Sequence, residues 1–288
     1  MSNTAIRLIT AGFGIPLILF LLFRPNPQLF SALITVISVM CVHEMFLLLE
    51  SRGHRPYVSF GFFMTILIQL SFYQNIPTLP FGWLIFQPAT LITILMLGLL
   101  IALLVRGRIE ENVTSVGMTL FAVLYAGWLP SFMIRLRNLP EGANWVLLFL
   151  LITWAFDSGA YAWGMAFGRT KMWVDVSPGK SWEGYWGGTF STLALVWLVD
   201  QLPLFFPGIP HFFPKEPSTS QFMVLTLVAC AAAQVGDLAE SMLKRYSRLK
   251  DSGSLFPGHG GALDRIDSLL FTAPLFFFYA VILLGPGR

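Results

Sequence analysis

Residues 241–267 read SMLKRYSRLKDSGSLFPGHGGALDRID. Five cations and three carboxylates crowd this window. The segments on either side, 221–235 and 268–284, are almost wholly apolar. Charges this dense between greasy helices need water or a ligand.

Outward from that window the chain stays apolar. Of its 288 residues 56% are hydrophobic and only 11% charged, with a mean hydropathy of +0.71. A soluble domain carries about 25% charged residues. A shortfall spread over the whole length marks a chain dissolved in lipid. Each crossing needs roughly 20 apolar residues, and without water to satisfy the backbone such runs must be helices. The expected fold is therefore all-α, a polytopic integral membrane protein with about nine transmembrane helices.

The expected spans are Leu8–Phe23, Leu29–Leu49, Val58–Tyr73, Pro88–Val105, Thr114–Ile134, Trp145–Phe167, Tyr185–Val199, Gln221–Ser247 and Leu263–Leu284. Arg24-Pro25-Asn26-Pro27 and the Pro-rich turn 75–80 stop the first and third. Residues 1–140 form an N-terminal set of about five spans, and 141–288 a C-terminal catalytic region of about four. Most of the eighteen Lys and Arg residues share a side with the N-terminus, which places the N-terminus in the cytoplasm. The polar loops 168–184 and 245–263 then face the cytoplasm together. The net charge of +3 has the same origin, so no nucleic-acid partner is expected. Cys41 and Cys230, both in apolar runs, read as buried small hydrophobes.

Asp237 interrupts the eighth span, and an ionisable residue inside a span is by default functional. Asp237, Ser241, Lys244 and Arg245 recur at three- and four-residue spacing on one helix face. Asp264 and Asp267 share a face at the start of the ninth helix. Carboxylates there can serve simply as caps and dipole partners. With Asp237 they can also supply oxygen ligands for one or two Mg²⁺ ions. His259-Gly260-Gly261 just before that helix suits a backbone cradle for an anion. His259 itself fits either a phosphate donor or a loop-stabilising residue.

Asp157 lies in the sixth span, where Ala160, Gly164 and Gly168 predict a close packing seam. Gly179-Lys180-Ser181 imitates the end of a phosphate-binding P-loop. The required earlier glycine would fall at Val174 and no strand precedes it, so a Walker site is rejected and Lys180 is kept as a phosphate contact. Glu44, in the second span, receives no role.

These residues resemble the phosphatidate cytidylyltransferase (CDP-diacylglycerol synthase) family. The resemblance rests on Ser241, Lys244-Arg245, Lys250-Asp251, Gly253, Pro257, His259-Gly260-Gly261, Asp264-Arg265 and Asp267, and upstream on Asp157, Tyr161, Gly164 and Ser177-Pro178-Gly179-Lys180-Ser181-Trp182-Glu183-Gly184. Gly179 and Ser181 depart from the Lys and Thr usual there. The resemblance implies that CTP and phosphatidate give CDP-diacylglycerol and pyrophosphate with Mg²⁺, a second metal or a monovalent cation being left open. It implies catalytic roles for Asp237, Asp264, Asp267, Lys244 and Arg245, with metal on the three aspartates. Substrate contacts fall to Ser241, Lys250, Asp251, His259, Gly260, Gly261, Arg265, Lys180 and Ser177. A bacterial inner membrane, a cytoplasmic active site, contact with membrane lipids and, as an open alternative, a homodimer complete the expectation. A CTP-dependent lipid-alcohol kinase and a non-enzymatic lipid transporter are the competing readings. Transporters favour midplane carboxylates on broken helices in paired repeats, whereas these charges gather at one end of their helices.

Overall fold

Asn26 and Pro27 start a helix as firmly as they end the previous one. The Asn26 side chain accepts the Gln28 amide and Pro27 sits in the first turn, where its missing N–H costs nothing. The structure, a computed structural model, describes residues 3–73, 87–105, 109–253 and 260–285. The expected turn at 75–80 and His259 lie outside the described residues.

The helices run α1 Asn3–Leu22, α2 Pro27–Glu50, α3 Val58–Leu70, α4 Pro88–Val105 and α5 Ile109–Ala122. A π-helical segment, Val123–Trp128, continues α5 and is followed by α6 Ser131–Arg137 and α7 Gly142–Phe167. Two short antiparallel strands, β1 Lys171–Trp173 and β2 Ser177–Ser181, precede α8 Trp182–Phe205, α9 Thr219–Ser247 and α10 Leu263–Leu284.

Among the described residues six helices are long and apolar enough to cross a membrane, and three shorter apolar helices, Gly12–Leu22, Val58–Leu70 and Pro88–Leu104, stand at the first, third and fourth expected positions. Large apolar side chains such as Phe190, Leu204 and Ile282 stay more than 60% exposed. Water does not tolerate apolar surface on that scale. The chain fits an integral membrane protein. The region read as a polar loop is instead a small hairpin, and the seventh span extends beyond Tyr185–Val199 at both ends. Both cysteines are free and buried.

The chain packs as two compact units, Met1–Arg135 with Leu243–Ile266, and Leu136–Met242 with Asp267–Arg288. In the first, α2 and α3 pack on the π-helical segment. Widening the turn there (Leu129 N bonds Leu124 O) leaves carbonyls without their usual helical donors. Ser38 Oγ donates to Ala126 O and Gly127 O at 2.9 and 3.1 Å, and Gln69 Nε2 donates to Gly127 O at 2.6 Å. An apolar surrounding requires this repair, because no water is there to make it.

In the second unit α7 and α8 cross backbone to backbone. A Cβ on Gly184 would lie 2.8 Å from Ala160 O, and one on Gly188 would lie 2.7 Å from Ala160 N. The expected seam of Ala160, Gly164 and Gly168 thus meets Ser181, Gly184 and Gly188 of the facing segment. Phe156, Cys230 and Ala233 form a buried cluster beside it.

Gly188→Leu has nowhere to go except into the α7 backbone. It is expected to cost roughly 1–3 kcal/mol or more, seen as a lower melting temperature of the detergent-purified protein. Gly117→Ala, with open space around that position, serves as the unaffected control.

Candidate active site

A helix that starts in an apolar interior brings amides with no helical partner. At α10 these amides meet protein carboxylates. Glu44 of α2 is 1% exposed. Its Oε1 accepts Ala262 N at 2.8 Å, and its Oε2 accepts Leu263 N at 2.9 Å and Ser252 Oγ at 2.8 Å. Asp264 does the same from within the helix. Its Oδ2 accepts Gly261 N, Ser252 N and Ser252 Oγ, each at 2.9 Å, while its Oδ1 takes the ammonium of Lys244 at 2.6 Å. That ion pair is largely withdrawn from solvent, the side chains being 15% and 6% exposed.

The glycines make room for this. A Cβ on Gly261 would collide with Ser252 Oγ and Glu44, and one on Gly253 would lie 2.6 Å from Glu44 Oε1. Gly260 has φ +79°, where L side chains are strained. The anion that the amides of Gly261, Ala262 and Leu263 hold is therefore the protein's own carboxylate. Ser247 Oγ donates to Leu48 O at 3.0 Å, so the end of α9 is tied to the same face of α2.

The second unit carries a separate constellation. Lys180, from β2, pairs with Asp237 Oδ2 at 2.7 Å, and Ser241 Oγ donates to Asp237 Oδ1 at 3.3 Å. A Cβ on Gly236 would lie 2.6 Å from Asp267 O, so α9 and α10 nearly touch where Asp237 and Asp267 sit. Asp267 Oδ1 accepts Ser268 N at 2.6 Å, and Ser268 Oγ lies 3.4 Å from Asp157 Oδ1. The hairpin that brings Lys180 is fastened by Glu183, whose carboxylate accepts the amides of Arg169 and Thr170 at 3.0–3.2 Å. Ser181 caps α8 by accepting Gly184 N, and Trp182 N bonds Thr170 O.

Residues 5–283 match the family described as the cytidylyltransferase family. The chain belongs to that family. A phosphatidate cytidylyltransferase of Bacillus subtilis (strain 168) is 39% identical over 168 residues, 57% of this chain and 58% of that protein. One of Haemophilus influenzae is 43% identical over 146 residues, 50% of this chain and 49% of that protein. The matched stretches thus span about half the length of these two curated relatives. One of Synechocystis sp. is 31% identical over 315 aligned positions, 96% of this chain and 97% of that protein.

Within this cytidylyltransferase-family chain the singled-out residues divide between the units. Lys244, Asp264, Gly260 and Gly261 meet in the first unit, where Arg245, Lys250, Asp251 and Arg265 are exposed. Lys180, Asp237 and Ser241 meet in the second, with Ser177 partly buried on β2. Among the described residues no group of three or more His, Cys, Asp or Glu stands ready for a metal ion. Sequence reasoning passed over Glu44, Ser252 and Glu183. The available signal for Glu44 was a carboxylate in an apolar span. Ser252 lies in a polar stretch where such residues are ordinary, and Glu183, though part of the loop that carries the resemblance, was given no role there.

Lys244→Met leaves Asp264 buried without its cation, a loss of about 3 kcal/mol or more. Adding Asp264→Asn removes the stranded charge. The double variant is expected to melt above Lys244→Met alone in detergent, and a lower melting point for the double would refute the pairing.

Proposed function

We propose that this protein is a phosphatidate cytidylyltransferase, joining CTP and phosphatidate to give CDP-diacylglycerol and pyrophosphate. The observation that carries the reading is the family match over 5–283, together with the end-to-end alignment to the Synechocystis protein of that name. A phosphate oxygen of phosphatidate attacks the α-phosphorus of CTP, and the bond from that phosphorus to the bridging oxygen breaks as pyrophosphate leaves. The nucleophile is already anionic, so the protein needs no strong base. It needs positioning and positive charge.

Lys180, Lys244, Arg245, Lys250 and Arg265 supply that charge to the phosphates. Ser177, Ser241, Asp251 and the His259-Gly260-Gly261 turn complete the substrate contacts. The lipid's acyl chains stay in the bilayer while its head group reaches these residues.

The donor chemistry fits Mg²⁺, which takes oxygen ligands and binds through one or two carboxylates plus substrate phosphates. Asp237 and Asp267, flanking the α9–α10 contact, are the carboxylates we assign to it, with the Ser241 hydroxyl beside them. Asp264, also expected as a ligand, is held in the first unit by Lys244, by the Gly261 amide and by Ser252. Bound there, the ion would neutralise charge on the triphosphate and on the departing pyrophosphate. The nine-span count, a cytoplasmic N-terminus and an active site facing the cytoplasm of a bacterial inner membrane belong to this proposal. The count rests on the apolar runs of the sequence and the orientation on the distribution of Lys and Arg.

In detergent or lipid vesicles, pyrophosphate release should require CTP, phosphatidate and Mg²⁺ together. CDP as co-product would instead indicate phosphate transfer to a lipid alcohol. Asp237→Asn and Asp267→Asn should each lower turnover by about a hundredfold or more, and full activity in either would remove it from the metal site.

A further inference from the structure

Glu44 lies far in sequence from every residue given a part in the reaction, yet it makes three hydrogen bonds to the segment that carries them. Two are to backbone amides, Ala262 and Leu263, and one is to Ser252 Oγ. Ser252 Oγ lies 2.8 Å from Glu44 Oε2 and 2.9 Å from Asp264 Oδ2. A hydroxyl has a single proton, which can only be shared between the two carboxylates, and both are held against the one oxygen. Asp264 in turn holds Lys244 at 2.6 Å. The chain Glu44, Ser252, Asp264, Lys244 is continuous, and every link is withdrawn from solvent apart from partial exposure at Lys244.

Asp264 reaches back only to Gly261 N, ahead of the helix, so the amides of Ala262 and Leu263 at the start of α10 fall to Glu44. Glu44 adds a connection from a different helix, and glycine is required at 253 and 261 to admit it. The arrangement determines where the turn stands relative to α2, not merely whether α10 begins.

We propose that Glu44 is a positioning residue for nucleotidyl transfer: through Ser252, Ala262 and Leu263 it fixes the turn bearing Asp264, and so the location of the Lys244 ammonium that meets substrate phosphate. The proposal rests on the cytidylyltransferase reading for its activity arm and on geometry alone for its structural arm. A displacement of about 1 Å at a phosphate-binding cation is enough for a loss on the order of a hundredfold.

Glu44→Gln keeps the shape but turns an NH₂ group toward at least one of the three donors. In the full-length detergent-purified protein, hydrogen exchange at 260–266 should accelerate while the melting transition persists. Pyrophosphate release from CTP and phosphatidate should fall on the order of a hundredfold in kcat/KM for CTP. Because Glu44 acts through Lys244, Glu44→Gln/Lys244→Met should be no slower than Lys244→Met alone. Losses that multiply, or wild-type kinetics for Glu44→Gln, overturn the proposal. If Glu44→Gln does not fold, Ser252→Ala carries the same comparison, and wild-type exchange and kinetics in that variant are equally fatal. Absence of pyrophosphate release from the wild-type protein would instead refute the assigned reaction, leaving hydrogen exchange to judge the clamp.

Discussion

An amide buried among apolar side chains must find an acceptor, and the start of α10 presents several at once. Glu44 and Asp264 answer that demand from opposite directions, one from α2 and one from the helix itself. Much of the first unit follows from the arrangement. Gly253 and Gly261 are glycines because a carboxylate occupies the volume of their side chains. Lys244 points to Asp264 because a second buried carboxylate beside Glu44 needs a cation. The end of α9 is stitched to α2 at Leu48, one helical turn from Glu44.

The second unit solves a different problem by similar means. Its hairpin is too short to hold itself, and an isolated pair of strands is at best marginal. Glu183 fastens its base by collecting two amides, while Ser181 caps the helix that follows. Lys180 is delivered to Asp237 from that fixed base. In each unit a carboxylate with no direct part in the proposed chemistry holds the backbone on one side of a lysine–aspartate pair, Glu44 on the side of Asp264 and Glu183 on the side of Lys180. Lys180 and Asp237 stay partly accessible, while Glu44 is buried.

Lipid-facing helices also shape what the interior can contain. The π-helical turn at Val123–Trp128 survives because Ser38 and Gln69 donate to the carbonyls it frees. The α7–α8 crossing can be close because glycine and alanine line it, so dispersion between backbones takes the place of a hydrophobic drive that lipid does not supply.

Composition and apolar run length alone determined that this chain is helical and membrane-embedded, because backbone groups in lipid admit few other solutions. The 27-residue charged window pointed to its family, and the Asp237–Ser241 contact follows from four-residue spacing on one helix. Local pattern reaches that far because helix periodicity and charge density are properties of neighbours in sequence. The partners of Glu44 were invisible at that level: a carboxylate in an apolar span signals that it needs partners, but these lie more than 200 positions away. The same limit applied to Gly260-Gly261. Their sequence suits a cradle for a substrate anion, and only the tertiary structure decided that the adjoining amides are given to Glu44 and Asp264, since which acceptor reaches a buried donor depends on how distant segments pack.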